Sequence, residues 1–295
     1  CSTTSGAFLS SPAPHSFTPL LTRCVCLSSL ASHSFRDNYW GSGDDVNGPN
    51  WVANDATAAL FLSDNALVQK SSMHCRAYRP FYDVSVPLMS HLTGAPWVTK
   101  GKTMRDDLLF GNGDLKFDAT VNPMSSTGVL FFFKGGINAV RERIIKLDDP
   151  SRGIFAANSH PAGSWVGIVE KYDYGTYLSA ARFHAAPRGA GLDSYRMAEG
   201  MQFGSVPVFY GDGYVPPFAA LLNWRKFSIS IARKEIETTP DVLAAIPRAT
   251  WLRMARHSAF VFEEYLATNA RIVDSSARVM LRNVREAAKR SGLCG

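Results

Sequence analysis

Residues 129–133 read Val-Leu-Phe-Phe-Phe, an unbroken apolar run that ends at Lys134-Gly135-Gly136. In an extended chain successive side chains point to opposite faces, so both faces of this segment demand burial. That is the pattern of an interior strand in a parallel sheet covered by helices on both sides, and it points to an α/β fold. The chain around it agrees. Val140, Ile144 and Leu147 share one helical face within 139–147. Residues 172–181 predict a second helix and 182–186 a strand. Residues 194–203 predict a helix with Gly204 just past its end, and 206–210 an apolar strand. Residues 224–231 alternate, with Phe227, Ile229 and Ile231 on one side, and predict a further strand. Strands alternating with helices imply a parallel sheet wrapped on both faces. Residues 248–291 predict helices, with Lys and Arg gathered toward the end.

The first part of the chain is organised differently. Residues 1–34 are rich in Ser, Thr, Ala and Pro, and their short apolar run over 20–30 is broken by Arg23. They predict a disordered, low-complexity leader. From residue 35 to about 90, aromatic residues alternate with the turn formers Gly41, Gly43, Gly48 and Pro49. Asp83-Val84-Ser85-Val86-Pro87 reads as a short strand closed by its proline. Residues 92–127, punctuated by Gly94, Pro96, Gly101, Gly111, Gly113 and Pro123, read as a connection. The division expected is 1–34 leader, 35–125 a short N-terminal lobe, 126–255 a Rossmann-like lobe and 256–295 C-terminal helices.

Composition narrows the function. Lys and Arg number 31 against 25 Asp and Glu, a net charge of +6 that suits an anionic substrate. No block of clustered Lys and Arg marks a nucleic-acid arm, and nucleic acid is not expected as a partner. The five cysteines, at 1, 24, 26, 75 and 294, are odd in number and lack zinc-ligand spacing. No apolar stretch reaches 18 residues, so no spanning helix is expected.

The chemistry concentrates in residues 182–218, RFHAAPRGAGLDSYRMAEGMQFGSVPVFYGDGYVPPF. A strand ends at Ala186, the loop Pro187-Arg188-Gly189-Ala190-Gly191 turns, and a helix begins with Asp193 or Ser194 as its expected cap. Ligands of open α/β sheets bind at this place, beyond the carboxyl ends of the strands. Free N–H groups at a helix start favour a phosphate, and glycines allow the backbone to approach it. Arg196 and Glu199, three apart, share a helix face. Arg196 has the fork to hold a diphosphate, and Glu199 could accept bonds from ribose hydroxyls. Spacing alone favours the plainer reading, an exposed ion pair worth about 0.2–0.5 kcal/mol. His184 reads as a core histidine, and the basic stretch Arg278, Arg282, Arg285, Lys289 and Arg290 as a solvated helix face.

This window resembles the signature of the exostosin family of glycosyltransferases. The residues that carry the likeness are Pro187, Gly189, Ser194, Arg196, Glu199, Gly204, Pro207, Val208, Asp212, Pro217 and Phe218, in that order. Leu222-Asn223-Trp224 and Phe227-Ser228 continue it downstream. Upstream, 131–136 with Arg141, and Tyr177-Leu178 with Phe183, fit as well. Over 126–255 the match is good. Before it the likeness is thin: Asp83, Val84 and Pro87, and Tyr39-Trp40 with Gly43-Asp44, where Asp45 stands in place of the family's His.

The resemblance implies a GT-B architecture of two Rossmann-like lobes, here with a reduced N-terminal lobe and added C-terminal helices. It implies inverting transfer from a UDP-sugar to a polysaccharide or glycoprotein glycan, without cofactor or metal. The chain has no Asp-x-Asp triplet, which agrees. Arg141, Arg188, Gly189, Ser194, Arg196 and Glu199 would then bind the nucleotide-sugar, with cationic groups stabilising the leaving diphosphate. Asp212 and Asp44, with Asp45 beside it, are the candidates near the sugar and the acceptor hydroxyl. The family implies a luminal Golgi membrane setting, with no anchor in this sequence, and hetero- or homo-oligomers with related transferases. The alternative is a catalytically weak member that binds sugar nucleotide or serves as a partner subunit.

Overall fold

The computed structural model describes residues 69–76, 78–88, 128–160, 171–189, 191–211 and 213–290. Three short strands open this part of the chain: β1 (Gln69–Lys70), β2 (Met73–His74) and β3 (Val84–Ser85). The apolar run forms β4 (Val129–Gly135), every residue of it buried. There follow α1 (Ala139–Ile145), β5 (Ile154–Asn158), α2 (Tyr174–Ala180), β6 (Ala181–Ala186) and α3 (Arg196–Met201). Then come β7 (Val206–Phe209), β8 (Tyr214–Val215), β9 (Ile229–Ser230), α4 (Thr239–Ala244), α5 (Arg248–Val261) and α6 (Asn269–Arg290). The expected mixed α/β class is what the described residues build. The leader, most of the 35–125 region and the whole 92–127 connection lie outside them.

Five strands make one all-parallel sheet in the order β5-β4-β6-β7-β9. Phe131 lies opposite Ile154 on one side and Phe183 on the other. Counted along the chain, the strands run 2-1-3-4-5, the order of a doubly wound fold whose switch point lies between β4 and β6. The alternation of the three phenylalanines of β4 decides the layers. Phe131 and Phe133 pack with Val140, Ile144, Leu243, Trp251, Met254 and Ala259, the side of α1, α4 and α5. Phe132 packs with Phe155, Leu178 and Phe203 on the side of α2. Also on that side, Ala186 and Phe209 meet Met197, Ala198 and Met201 of α3 and Val279 of α6. Burying each such side chain contributes about 1.5–3 kcal/mol.

Local signals explain most ends. Asn138 caps α1, its side-chain oxygen accepting from the amides of Val140 and Arg141. Gly204 takes φ +83 past α3, where Ser205 N–H returns to Gly200 C=O at 3.2 Å. Two expectations change. Residues 224–231 are not one strand. Trp224–Lys226 is a 3₁₀ turn, pinned by the indole N–H of Trp224 on Pro217 C=O at 2.7 Å, and only Ile229–Ser230 joins the sheet. The helix expected over 194–203 is the six-residue α3, preceded by Tyr195 with no side-chain cap. Asp193 is instead drawn away to Ser72, and Ser194 Oγ takes only the Arg196 amide, at 3.4 Å. The strand β5 was not foreseen; it forms the outer partner of β4.

The segment 69–88 lies against the loops beyond the sheet. β2 pairs antiparallel with β8, Met73 opposite Val215 and His74 opposite Tyr214. Ser85 Oγ donates to Val215 C=O at 2.7 Å, and Phe218 N–H donates to Ser85 C=O at 2.8 Å.

Candidate functional site

The switch point sets the site. At the carboxyl end of β4 the chain leaves as Lys134-Gly135-Gly136, and at that of β6 as Pro187-Arg188-Gly189. These two exits are stitched together at one atom. Arg188 C=O accepts Asn138 Nδ2 at 3.2 Å and Arg141 Nε at 3.0 Å. Arg141 also reaches Gly136 C=O at 3.4 Å, so its guanidinium is held against both loops. A Cβ on Gly189 would stand 3.2 Å from Arg141 Nη2, and Gly189 N–H closes its own loop on Asp193 C=O at 3.1 Å. A glycine is what lets this loop and the guanidinium approach.

Arg196 enters from α3. Its Nε donates to Lys134 C=O at 2.8 Å, and its guanidinium lies 5.5 Å over the Phe133 ring. A Cβ on Gly135 would be 2.6 Å from Arg196 Nη2, so the glycine makes room for this arginine. Lys134 is buried, its Nζ donating to Tyr172 C=O at 3.0 Å. Glu199, only 5% exposed, accepts a short hydrogen bond from the Tyr174 hydroxyl. Burial pushes the Tyr174 phenol well above its ordinary value, the Glu199 carboxylate adds to this, and Arg196 and Arg141 oppose it. Tyr174, Glu199, Arg196 and Arg141 therefore share one electrostatic neighbourhood.

The plainer reading of the Arg196/Glu199 pair, an exposed ion pair, does not hold. Arg196 bonds the end of β4, Glu199 bonds Tyr174, and no Arg196–Glu199 ion pair occurs among the described residues. The structure brings Arg141, Arg188, Gly189, Ser194, Arg196 and Glu199 together at the ends of β4 and β6. Asp212, Asp44 and Asp45 lie outside the described residues. With only six residues, α3 offers little dipole, so side-chain guanidiniums supply most of the local positive charge. His184 is a buried core residue, as read, and burial lowers its pKa to about 3.

Three supports escaped the sequence reading. Tyr174 carried no signal. Asn138 did: an Asn just before a helical face is an N-cap pattern, though its second bond, to Arg188, is a tertiary fact. Ser72 also escaped. Its hydroxyl donates to the Asp193 carboxylate across 121 residues, fastening the segment at β2 to the 187–193 loop.

A doubly wound sheet with arginines and glycines gathered at its switch point defines an open α/β fold whose ligands bind beyond the carboxyl ends of the strands. The chain belongs to the exostosin GT47 family of glycosyltransferases: a model of the Exostosin GT47 domain matches residues 36–246. Exostosin-1 of Drosophila melanogaster is 27% identical over 287 residues, covering 90% of this chain and 36% of that protein. Exostosin-1 of Bos taurus is 23% identical over 245 residues, 77% of this chain and 31% of that protein. A probable glycosyltransferase of Arabidopsis thaliana is 31% identical over 134 residues, 45% of this chain and 24% of that protein. The chain thus spans about a third or less of the curated relatives it matches.

Proposed function

We propose that this chain transfers a sugar from a UDP-sugar to a polysaccharide or glycoprotein glycan, with inversion and without a metal. The observation that carries the reading is the convergence of Arg141 and Arg196 at the β4/β6 switch point, each braced by backbone carbonyls. Braced guanidiniums need little reorganisation when charge develops on a leaving diphosphate, and that is where such groups lower a barrier most. Arg196 spends its Nε on Lys134. Its remaining N–H groups have no partner among the described residues and form the fork for phosphate oxygens. Arg141, Arg188 and the Gly189 backbone complete the diphosphate cradle, Ser194 stands at its edge, and Glu199, oriented by Tyr174, takes the ribose hydroxyls.

Asp212 and Asp44 are assigned to the sugar and acceptor side, where inversion requires one base within reach of the acceptor hydroxyl. The reading includes two lobes, 35–125 for the acceptor and 126–255 for the nucleotide, closed by helices in 256–295. It also includes a luminal Golgi setting and assembly with related transferases, both by family. No helix among the described residues is long and apolar enough to cross a membrane.

Thermal unfolding with UDP and a panel of UDP-sugars tests it. Ligand at a hundredfold excess over its Kd stabilises by about 2.7 kcal/mol. UDP should stabilise the protein, and Arg196→Ala should abolish the shift. An equal shift in the variant removes Arg196 from the site. Stabilisation without turnover on any acceptor makes the chain a binding or partner subunit instead.

A further inference from the structure

The helix α6 carries more than its buried face accounts for. Its inward side is formed by Ser275, Ser276, Val279 and Asn283. Leu281 lies about 200° round the helix from Val279, yet the residues there are apolar too. Val273, Ala277, Leu281 and Val284 follow one another at steps of four, four and three, the spacing of one helix stripe. Val273 is 68%, Leu281 59% and Val284 41% exposed, three of the seven exposed large apolar residues described. Each of the last three stripe positions is followed by a cation: Arg278, Arg282 and Arg285, with Lys289 continuing the row. From Arg278 to Lys289 the row runs about 16 Å. It lines a groove of about 410 Å³ together with Leu221, and Glu286 is the one acid among the described residues that line it. Arg278 pairs with Asp274 and Lys289 with Glu286, while Arg282 and Arg285 form no ion pair among the described residues.

We propose that this outer face of α6 docks an amphipathic helix of another polypeptide, with an apolar seam against Val273, Leu281 and Val284 and acidic residues in the groove. Three features select that occupant. A stripe of valine, alanine and leucine at helical steps is the complement of a second helix seam, which approaches closely over small side chains. Cations on one flank ask for acids on the facing flank and fix the partner's direction. The groove is concave and no aromatic side chain is among the described residues that line it, which suits a rod. It does not suit a flat lipid surface that would engage Trp or Phe, nor stacked bases. The face is separate from the Arg141/Arg196 cradle, so the inference does not depend on the donor reading.

The test uses the whole chain and a labelled synthetic helical peptide with leucine and alanine along one seam and glutamate along one flank, read by fluorescence anisotropy. The acidic peptide should bind. Leu281→Asp with Val284→Asp should weaken it by about tenfold or more. Arg282→Glu with Arg285→Glu should lose the acidic peptide and gain its lysine counterpart. All four positions are exposed, and a thermal unfolding midpoint unchanged from the parent shows that the variants fold. The proposal is overturned if the acidic peptide does not bind, or if its lysine counterpart binds the parent chain equally. It is also overturned if phosphatidylserine–phosphatidylcholine vesicles compete better than the peptide, or if sedimentation shows that the face instead joins two copies of this chain.

Discussion

Arg196 donates from Nε to the backbone carbonyl of Lys134 at 2.8 Å, across 62 residues of sequence. That single bond ties α3 to the end of β4, and it makes the residue after Lys134 critical. A Cβ at Gly135 would stand 2.6 Å from Nη2 of the same arginine. The closest clash is with the Arg196 guanidinium, and the buried Phe133 ring follows at 3.0 Å, so Gly135→Ala should cost the site more than the fold. We expect UDP affinity to fall by about tenfold, the equivalent of about 1.4 kcal/mol, with an apo Tm close to that of the parent. Titration calorimetry with UDP beside a thermal scan checks both halves.

Gly200 is the converse case. A Cβ there would lie 2.3 Å from the His184 ring, which is buried and rigid. Gly200→Ala should destabilise by about 1–3 kcal/mol through overpacking. Adding His184→Ala should recover part of that loss by vacating the ring's space. Denaturant unfolding of the two single variants and the double one reads the coupling, and strict additivity would disprove the contact.

His184 also makes stability depend on acid. Burial lowers its pKa to about 3, so the folded protein keeps the imidazole neutral while the unfolded chain protonates it near about 6.5. Below that pH the unfolded state binds the extra proton. This contribution to stability is complete above about pH 6.5 and lost as pH falls toward 3, at up to about 1.4 kcal/mol per pH unit. A His184→Phe variant should show a flatter stability curve between about pH 4 and 6 than the parent.

The Ser72–Asp193 bond fastens β2 to the loop that carries Arg188 and Gly189. Asp193 is buried, and burial raises its pKa against the opposing pull of Ser72. Ser72→Ala removes one of the hydroxyls on that buried carboxylate, leaving it Ser71 and backbone N–H groups, and should cost about 1–3 kcal/mol. Hydrogen exchange should rise at 187–193 before it rises in β6. Uniform exchange across both would place the bond outside the loop's local stability.

Several of these positions were legible in the order of residues alone. Three phenylalanines in a row must alternate sides in a strand, so Phe131 and Phe133 on one side and Phe132 on the other demanded two covering layers, and they have them. Gly204 marked the end of α3 by its tolerance of positive φ. The grouping of Arg141, Arg188, Gly189, Ser194, Arg196 and Glu199 at the strand ends followed from a resemblance in motif, and the fold places them there. Periodicity misjudged 224–231, because an alternating pattern does not say whether the backbone between Trp224 and Phe227 will curl to satisfy an indole N–H.

What the sequence by itself determined are the properties that one segment can express: apolar period, a helix-ending glycine at Gly204, and an ordered motif. The tertiary fold alone decided the pairings between distant segments. These are Tyr174 on Glu199, Arg188 carbonyl between Asn138 and Arg141, Ser72 on Asp193, and the outward apolar stripe of α6 beside its cations. The reason is physical. A hydrogen bond or a buried charge depends on which groups share a desolvated space, and that space exists only once the sheet and its two layers have closed around it.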